Sequence, residues 1–388
     1  VCHIFDIKKL QNIFFKELLM SHSLFSLRVI FLLFLVQLSF VVNAEQSLSA
    51  KQVLISADHT HYQYAGRIDF TDKRAPVLSW PGSSITTIFS GTSVAVVLDD
   101  QYGKNYFNVF INEDWNNPIV LKLNAGEKAY SVATGLPAGE HKLTLFKRTE
   151  GEEGSTVFKG LLLDNAQTLK APPARPARRI EFFGDSITSG MGNEAPEEGE
   201  DGDLADKNHY LSYAAITARA LNAEHHTISQ SGIGIMVSWF DFIMPQFYDQ
   251  INAVGNNDSQ WNFTQWTPDV VVINLFQNDS WLVEKRLDPV PTDAQRIQAY
   301  VDFVSRIRSV YPKAYIVCAL GSMDATKEGS AWPGYIATAV ERIKTEQKDQ
   351  RIDTLFFPFK EFYKHPRVHH HQQDAALLTR FIQQKMDW

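Results

Sequence analysis

The chain has 388 residues, of which 44% are hydrophobic and 21% charged, the balance of a soluble globular protein with room for two cores. Its net charge of −7 argues against nucleic acid or an anionic membrane surface as partner. Two cysteines, Cys2 and Cys318, are too few for a disulfide-built scaffold.

In chain order, the first feature is MSHSLFSLRVIFLLFLVQLSFVVNAEQ, which opens at Met20, carries Arg28, runs apolar and ends in small residues at Ala44. That is the layout of a secretory signal with VNA as its cleavage site. Gln37 inside the run and the lack of a basic stop-transfer flank speak against a membrane span. Residues 1–19 read as sequence upstream of a start at Met20, so residues 1–44 are set apart from the fold. The mature protein is expected to begin near Glu45, to be periplasmic or secreted, and to hold no membrane contact after cleavage. Cys318, in AYIVCAL, is then the sole cysteine and reads as core.

Residues 45–168 hold short alternating runs, SSITTIFSG, SVAVVLDD, NYFNVFIN, HKLTLFKRT and TVFKGLLLD, separated by turn signals such as WPG and LPAGE. This pattern predicts an all-β sandwich. The proline-rich, basic stretch at 169–178 predicts a linker. Residues 179–388 alternate apolar strands (RIEFFGD, EHHTISQS, DVVVINL, AYIVCAL, IDTLFFPF) with amphipathic helical patterns, which predicts an α/β domain whose parallel sheet is covered on both faces. Function in such sheets sits at the carboxyl ends of the strands. No GxGxxG motif or Walker loop follows the first strand, so no nucleotide cofactor is expected.

The strand ends carry the chemistry-bearing residues. Ser186 follows RIEFFGD, where it is either a helix cap or a hydroxyl offered to substrate. Gly232 and Gly234 follow the second strand and can present bare N–H groups, while Asn278 and Asp279 follow the third. His365, in KHPRV, supplies a base just before the last helix. Acyl transfer through a serine needs this combination of nucleophile, base and oxyanion donors.

The order GDS, Gly, Asn-Asp, His-Pro resembles the SGNH (GDSL-type) hydrolase superfamily. More narrowly, LSWPGSSITTIFSGT, LFKRTE, RRIEFFGDSITSGMGN, YAAITARALNAE, SQSGIGI and HPRV resemble carbohydrate esterase family 2, the acetyl xylan esterase-like enzymes that deacetylate plant polysaccharides. The resemblance implies a jelly-roll sandwich followed by an SGNH domain with a flavodoxin-like sheet. It implies Ser186 as nucleophile and His365 as base, with the N–H groups of Ser186 and Gly232 and the side chain of Asn278 as oxyanion hole. Two positions depart from the family pattern. Phe276 stands where a small residue is usual, with Gln277 in place of a common Thr. Phe362 stands where many members carry the triad acid, which points to a Ser186–His365 dyad steadied by a carbonyl or a distant acid, with Glu361 only a neighbour in sequence.

Other polar clusters read as scaffold. The histidines at 369–371 read as a solvated helix start without ligand spacing for a metal, and those at 225 and 226 as one inward and one outward residue. Asp185 reads as loop support, and the acidic stretch APEEGEDGDLADK at 195–207 as a flexible surface insertion near the cleft without calcium spacing. No metal or cofactor is expected. Of eight tryptophans, Trp239, Trp281 and Trp332 follow strand ends and are candidates for sugar contact, together with Asp279, whereas Trp80 reads as sandwich core.

The expected function is an exported serine esterase that removes O-acetyl groups from acetylated xylan or glucomannan, acting as a monomer. The alternatives are a carbohydrate-binding protein with a decayed hydrolase half and a GDSL lipase acting on longer acyl chains.

Overall fold

The computed structural model describes residues 52–164 and 168–388, so the expected signal segment lies outside the described residues. The alternating runs of the first half fold into two antiparallel sheets. One is ordered β3 (Ile68–Asp69), β4 (Val77–Leu78), β11 (Thr156–Leu163), β6 (Val94–Asp100) and β9 (Gly126–Ala133), with β1 (Val53–Ser56) also pairing β11. The other is ordered β12 (Leu169–Lys170), β5 (Ser84–Ser90), β10 (Glu140–Lys147), β7 (Tyr106–Ile111) and β8 (Ile119–Lys122), with β2 (Gln63–Ala65) pairing β5. Strand β5 buries Ile85, Thr87 and Phe89 and turns the intervening residues outward, the period of two that seats a half-buried strand on a core. Leu169 and Lys170, placed with the linker by composition, instead close this sheet, and Leu169 is buried.

The second half forms a five-stranded parallel sheet in the order β14 (Ala223–Ser229), β13 (Arg178–Gly184), β15 (Val270–Asn274), β16 (Tyr315–Leu320), β17 (Ile352–Phe356). In register, Gly184 stands between Ser229 and Asn274, so the loops that follow these three strands leave the sheet at one level. Those loops lead to the short helix α1 (Ser186–Ser189), to a turn before α3 (Met244–Phe247), and to α4 (Gln277–Arg286). One face of the sheet buries Ile180, Phe182, Val270 and Val272 against α2 (Tyr213–Ala220) and α7 (Val368–Met386). The other buries Phe183, Val271, Ile273 and Cys318 against α5 (Asp293–Val310) and α6 (Trp332–Glu346).

The sandwich and the parallel sheet share buried charge. Arg67 donates to Glu181, in the middle of β13, at 3.0 and 3.2 Å, and to the carbonyls of Tyr248 and Gln250, with both side chains of the pair fully buried. Trp80 does not belong to the sandwich core. It packs on Phe247 at 4.9 Å and donates to the Ile251 carbonyl, within the hydrophobic cluster of the α/β half. At the neighbouring Gly82, an added Cβ would lie 2.8 Å from the His209 ring, so this turn needs glycine to let the sandwich approach.

His209 carries that contact onward to the helix after β13. Its Nδ1–H donates to the Thr188 carbonyl at 3.0 Å and its Nε2 accepts from the Thr227 hydroxyl at 3.0 Å, which fixes a neutral tautomer. Burial pushes this imidazole down to about 3. A histidine lowered in this way takes up a proton on unfolding below its free value of about 6.5, so its stabilisation is full above that pH and is lost as pH falls toward 3. Denaturant unfolding of the parent and of His209→Gln at pH 7 and pH 4.5 should therefore show the parent losing more stability than the variant on acidification. The slope for one such histidine is at most about 1.4 kcal/mol per pH unit. Parallel pH profiles would contradict it.

Candidate active site

The GDS turn is a steric necessity. A Cβ at Gly184 would fall 2.0 Å from the Thr188 hydroxyl, so only glycine lets β13 break directly into α1. Asp185 caps that helix, accepting from the Ile187 N–H at 3.0 Å, and Gly190 closes it in the left-handed conformation. Ser186 is thereby the first residue of a helix at the sheet's carboxyl edge, 5% exposed. Burial pushes the Asp185 carboxyl up to about 7, with Asp279 and Glu150 adding to the rise. It supports the turn, as its sequence position suggested.

His365 Nε2 lies 2.9 Å from Ser186 Oγ. Its Nδ1 lies 2.9 Å from Asp201 Oδ2, which also accepts the His365 backbone N–H at 2.9 Å. An ionised carboxylate only accepts, so Nδ1 carries the proton and Nε2 offers its lone pair to the serine hydroxyl. Burial alone would raise Asp201, but hydrogen bonds from His365 and Arg367 outweigh it and hold the carboxyl well below the usual range. Arg367 donates to Asp201 Oδ1 at 2.6 Å and to the carbonyls of Gly192, Pro196 and Gly199, and Lys364 donates to the carbonyls of Glu198 and Gly199. The basic residues of KHPR thus clamp the acidic segment 195–207, which is no free surface insertion. Asp201 is the distant acid that local spacing could not identify, while Glu361 is exposed with φ of 56°.

Two further loops bring Gly232 and Asn278 to the same edge of the sheet as Ser186. The N–H groups of Ser186 and Gly232 have no protein acceptor among the described residues. Gly232 has φ of 86°, and a Cβ there would press on Trp239 at 3.2 Å. Gly234 differs, because its N–H donates to Ser238 Oγ at 3.1 Å. Asn278 Nδ2 donates to the Ile233 carbonyl at 2.9 Å and approaches Asp185 Oδ2 at 3.3 Å, and its Oδ1 accepts from Trp239 Nε1 at 3.2 Å.

Asp279 does not face the cleft. It is fully buried and accepts from the N–H groups of Ile235, Met236 and Val237, so it shapes the loop after Gly232. Burial pushes its carboxyl up to about 6 against the pull of those three donors. Trp281 is half-buried with its N–H bound to the Asp324 carboxylate, and Trp332 packs edge-on against Phe276 at 5.0 Å. Trp239 alone of the three candidates is open, at 53% exposure, beside Gly232 and Asn278 and with the Arg286 guanidinium 5.1 Å from its ring. Phe276 packs under the loop, fully buried against Tyr300 and Trp332, with φ of 92°. A bulky residue in the left-handed region is strained. Gln277 bridges to Asp324 and to the Ala325 N–H.

The histidine triplet is less solvated than expected. His371 is fully buried, accepting from the Tyr213 N–H, and His370 Nδ1 accepts from the Arg367 N–H; His369 is exposed. Glu197, His369 and His370 come within ligand distance of one another, but His370 Nε2 must carry the proton while Nδ1 accepts, so it has no lone pair there for a metal. The Glu150, Glu152 and Glu153 cluster does not fit a metal either, because Lys207 Nζ pairs with Glu150 at 2.7 Å and Glu153 at 2.6 Å.

Comparison with known proteins agrees with this geometry. Residues 64–173 match the family described as Carbohydrate esterase 2 N-terminal, and residues 182–377 match the GDSL-like Lipase/Acylhydrolase family. The chain is 32% identical over 341 residues to a cellulase/esterase CelE of Acetivibrio thermocellus, covering 85% of this chain but only 40% of that protein. It is 28% identical to an acetylxylan esterase / glucomannan deacetylase of Cellvibrio japonicus, covering 89% of this chain and 95% of the relative. Among solved structures, a family two carbohydrate esterase from Clostridium thermocellum in complex with cellohexaose superposes with a TM-score of 0.75 at 31% identity, covering 84% of this chain and 99% of that one. A family two carbohydrate esterase from Cellvibrio japonicus gives 0.77 at 26% identity, covering 87% and 99%. The two matched segments, in this order and around this serine, make the chain a member of carbohydrate esterase family 2, a carboxylic ester hydrolase with a GDSL-type catalytic half.

Proposed function

We propose that this protein is an exported serine esterase that removes O-acetyl groups from plant cell-wall polysaccharides, acetylated xylan or glucomannan, through an acyl-enzyme. The observation that carries the reading is the hydrogen-bonded series Ser186–His365–Asp201 at the carboxyl edge of the sheet. The substrate class rests on the Cellvibrio japonicus relatives named acetylxylan esterase / glucomannan deacetylase. Export rests on the signal-like segment ending at Ala44; N-terminal sequencing of secreted protein should begin near Glu45.

In this reading His365 Nε2 takes the Ser186 hydroxyl proton as Oγ attacks the acetyl carbonyl carbon. The negative charge that develops on the carbonyl oxygen is met by the Ser186 and Gly232 N–H groups and by Asn278 Nδ2, which gives up its 3.3 Å hydrogen bond to Asp185 Oδ2 for it. Collapse breaks the bond to the sugar oxygen, which leaves with the proton from His365, and water then repeats the sequence to release acetate. Asp201 holds the imidazole in the reacting tautomer and stabilises its charged form. Trp239 is the sugar platform, since its open indole stands beside the oxyanion loop.

A single kinetic panel tests this. Ser186→Ala and His365→Ala should each abolish turnover, because nucleophile and base work as a unit. Asp201→Asn should cost about 10³- to 10⁴-fold in kcat, the loss seen when a triad acid is replaced. Asn278→Ala should cost about 10²- to 10³-fold, and Glu361→Ala should leave turnover unchanged. Full activity in Asp201→Asn would reduce the site to a dyad. Acetyl esters should far outrun butyryl and octanoyl esters; equal turnover of acetate and octanoate would point to the lipase alternative.

A further inference from the structure

The segment KRTEGEE at the end of β10 carries a cluster of buried charge in the sandwich, and the reaction steps above do not use it. Lys147, Thr149 and Glu150 are fully buried, and Arg148 and Glu153 nearly so. Glu150 belongs to the sandwich, yet its carboxylate reaches across into the hydrolase half. Oε2 accepts from Ser189 Oγ at 2.5 Å and from the Ser231 N–H at 2.8 Å, and Oε1 accepts from Lys207 Nζ at 2.7 Å. Each of these donors adjoins a different part of the site. Ser189 is the last residue of α1, which Ser186 begins. Ser231 immediately precedes Gly232. Lys207 lies six residues beyond Asp201, and its carbonyl accepts from Arg148 Nε.

We propose that Glu150 is a positioning residue for catalysis: one carboxylate from the sandwich sets the spacing between the Ser186 turn and the Gly232 N–H, so the sandwich is a built-in part of the active site. This rests on the reading of Ser186 and Gly232 given above. The Glu152 and Glu153 carboxylates lie nearby, but every hydrogen bond that the Glu150 carboxylate makes is one it accepts, and a carboxylate has no proton to offer. An amide at this position must turn its NH₂ toward either Lys207 Nζ or the Ser231 N–H, neither of which can accept it, so the set of contacts cannot be kept as it stands. A shift of about 1 Å between nucleophile and oxyanion donor costs up to about 10²-fold in rate, with little effect on ground-state binding.

The test is steady-state kinetics of the full chain with a soluble acetyl ester, well below its unfolding temperature. Glu150→Gln should lower kcat about 10- to 100-fold with KM within about twofold, the signature of a contact that serves the transition state. Glu150→Asp keeps the charge beside Lys207 but shortens the reach to Ser231, and should lose kcat likewise; it decides the question if the Gln variant does not fold. Glu181→Gln, at the buried Arg67–Glu181 ion pair between the two halves, should lower the melting temperature and keep kcat. Parental kcat in either folded Glu150 variant would overturn the proposal. So would an equal loss of kcat in Glu181→Gln, since loosening of the interface would then explain everything. Full activity in Ser186→Ala would instead remove the reading of the site beneath it.

Discussion

The 2.9 Å hydrogen bond between His365 Nε2 and Ser186 Oγ is the contact on which the rest of the site depends. It joins groups 179 residues apart, one just past the end of β13 and one just before the last helix, and neither element sets the distance alone. On the serine side, Gly184 permits the abrupt turn and Asp185 caps it. On the histidine side, Asp201 takes both the ring and the backbone N–H, so the imidazole is fixed in position and in tautomer. In the proposed reading this hydrogen bond is what activates Ser186, because a serine hydroxyl is a weak nucleophile until a base stands ready to take its proton.

Much of that structure is buried charge. Arg367 neutralises Asp201 and ties its loop to the start of α7, Arg67 pairs with Glu181 under the sheet, and Lys207 bridges two glutamates of the sandwich. Such pairs give little net stability over well-packed apolar residues, because desolvation offsets most of the attraction. Their geometry is nevertheless demanding, and a misplaced partner is costly. They therefore suit an interface whose task is to fix the placement of two halves, and here the interface lies behind the proposed catalytic turn.

The legible part of the sequence was its local physics. Alternation of period two showed the sandwich, and strand–helix alternation showed the parallel sheet. The glycine-then-serine break after RIEFFGD and the His-Pro before the last helix marked the edge where the candidate site lies. Asp201 was not legible, because what selects it from a run of acids is the grip of Arg367 and Lys364, more than 160 residues away. Position after a strand also says which edge a residue occupies and not which way its side chain points. Asp279 and Trp281 accordingly turn inward to backbone amides and to Asp324, while Trp239 stays open. Trp80 went astray for a related reason: a tryptophan in a sandwich turn looks like sandwich core until the second half supplies the surface it fills.

The most direct test of a serine acyl-enzyme built on this hydrogen bond is to trap it. An activated acetyl ester would be mixed with the enzyme, quenched in acid within milliseconds, digested and analysed by peptide mass spectrometry. The expected result is one acetyl group, on Ser186, which disappears once substrate is exhausted and is absent in His365→Ala. An enzyme that turns over while carrying no acetyl group on Ser186, or that carries a transient one on another side chain, would contradict it.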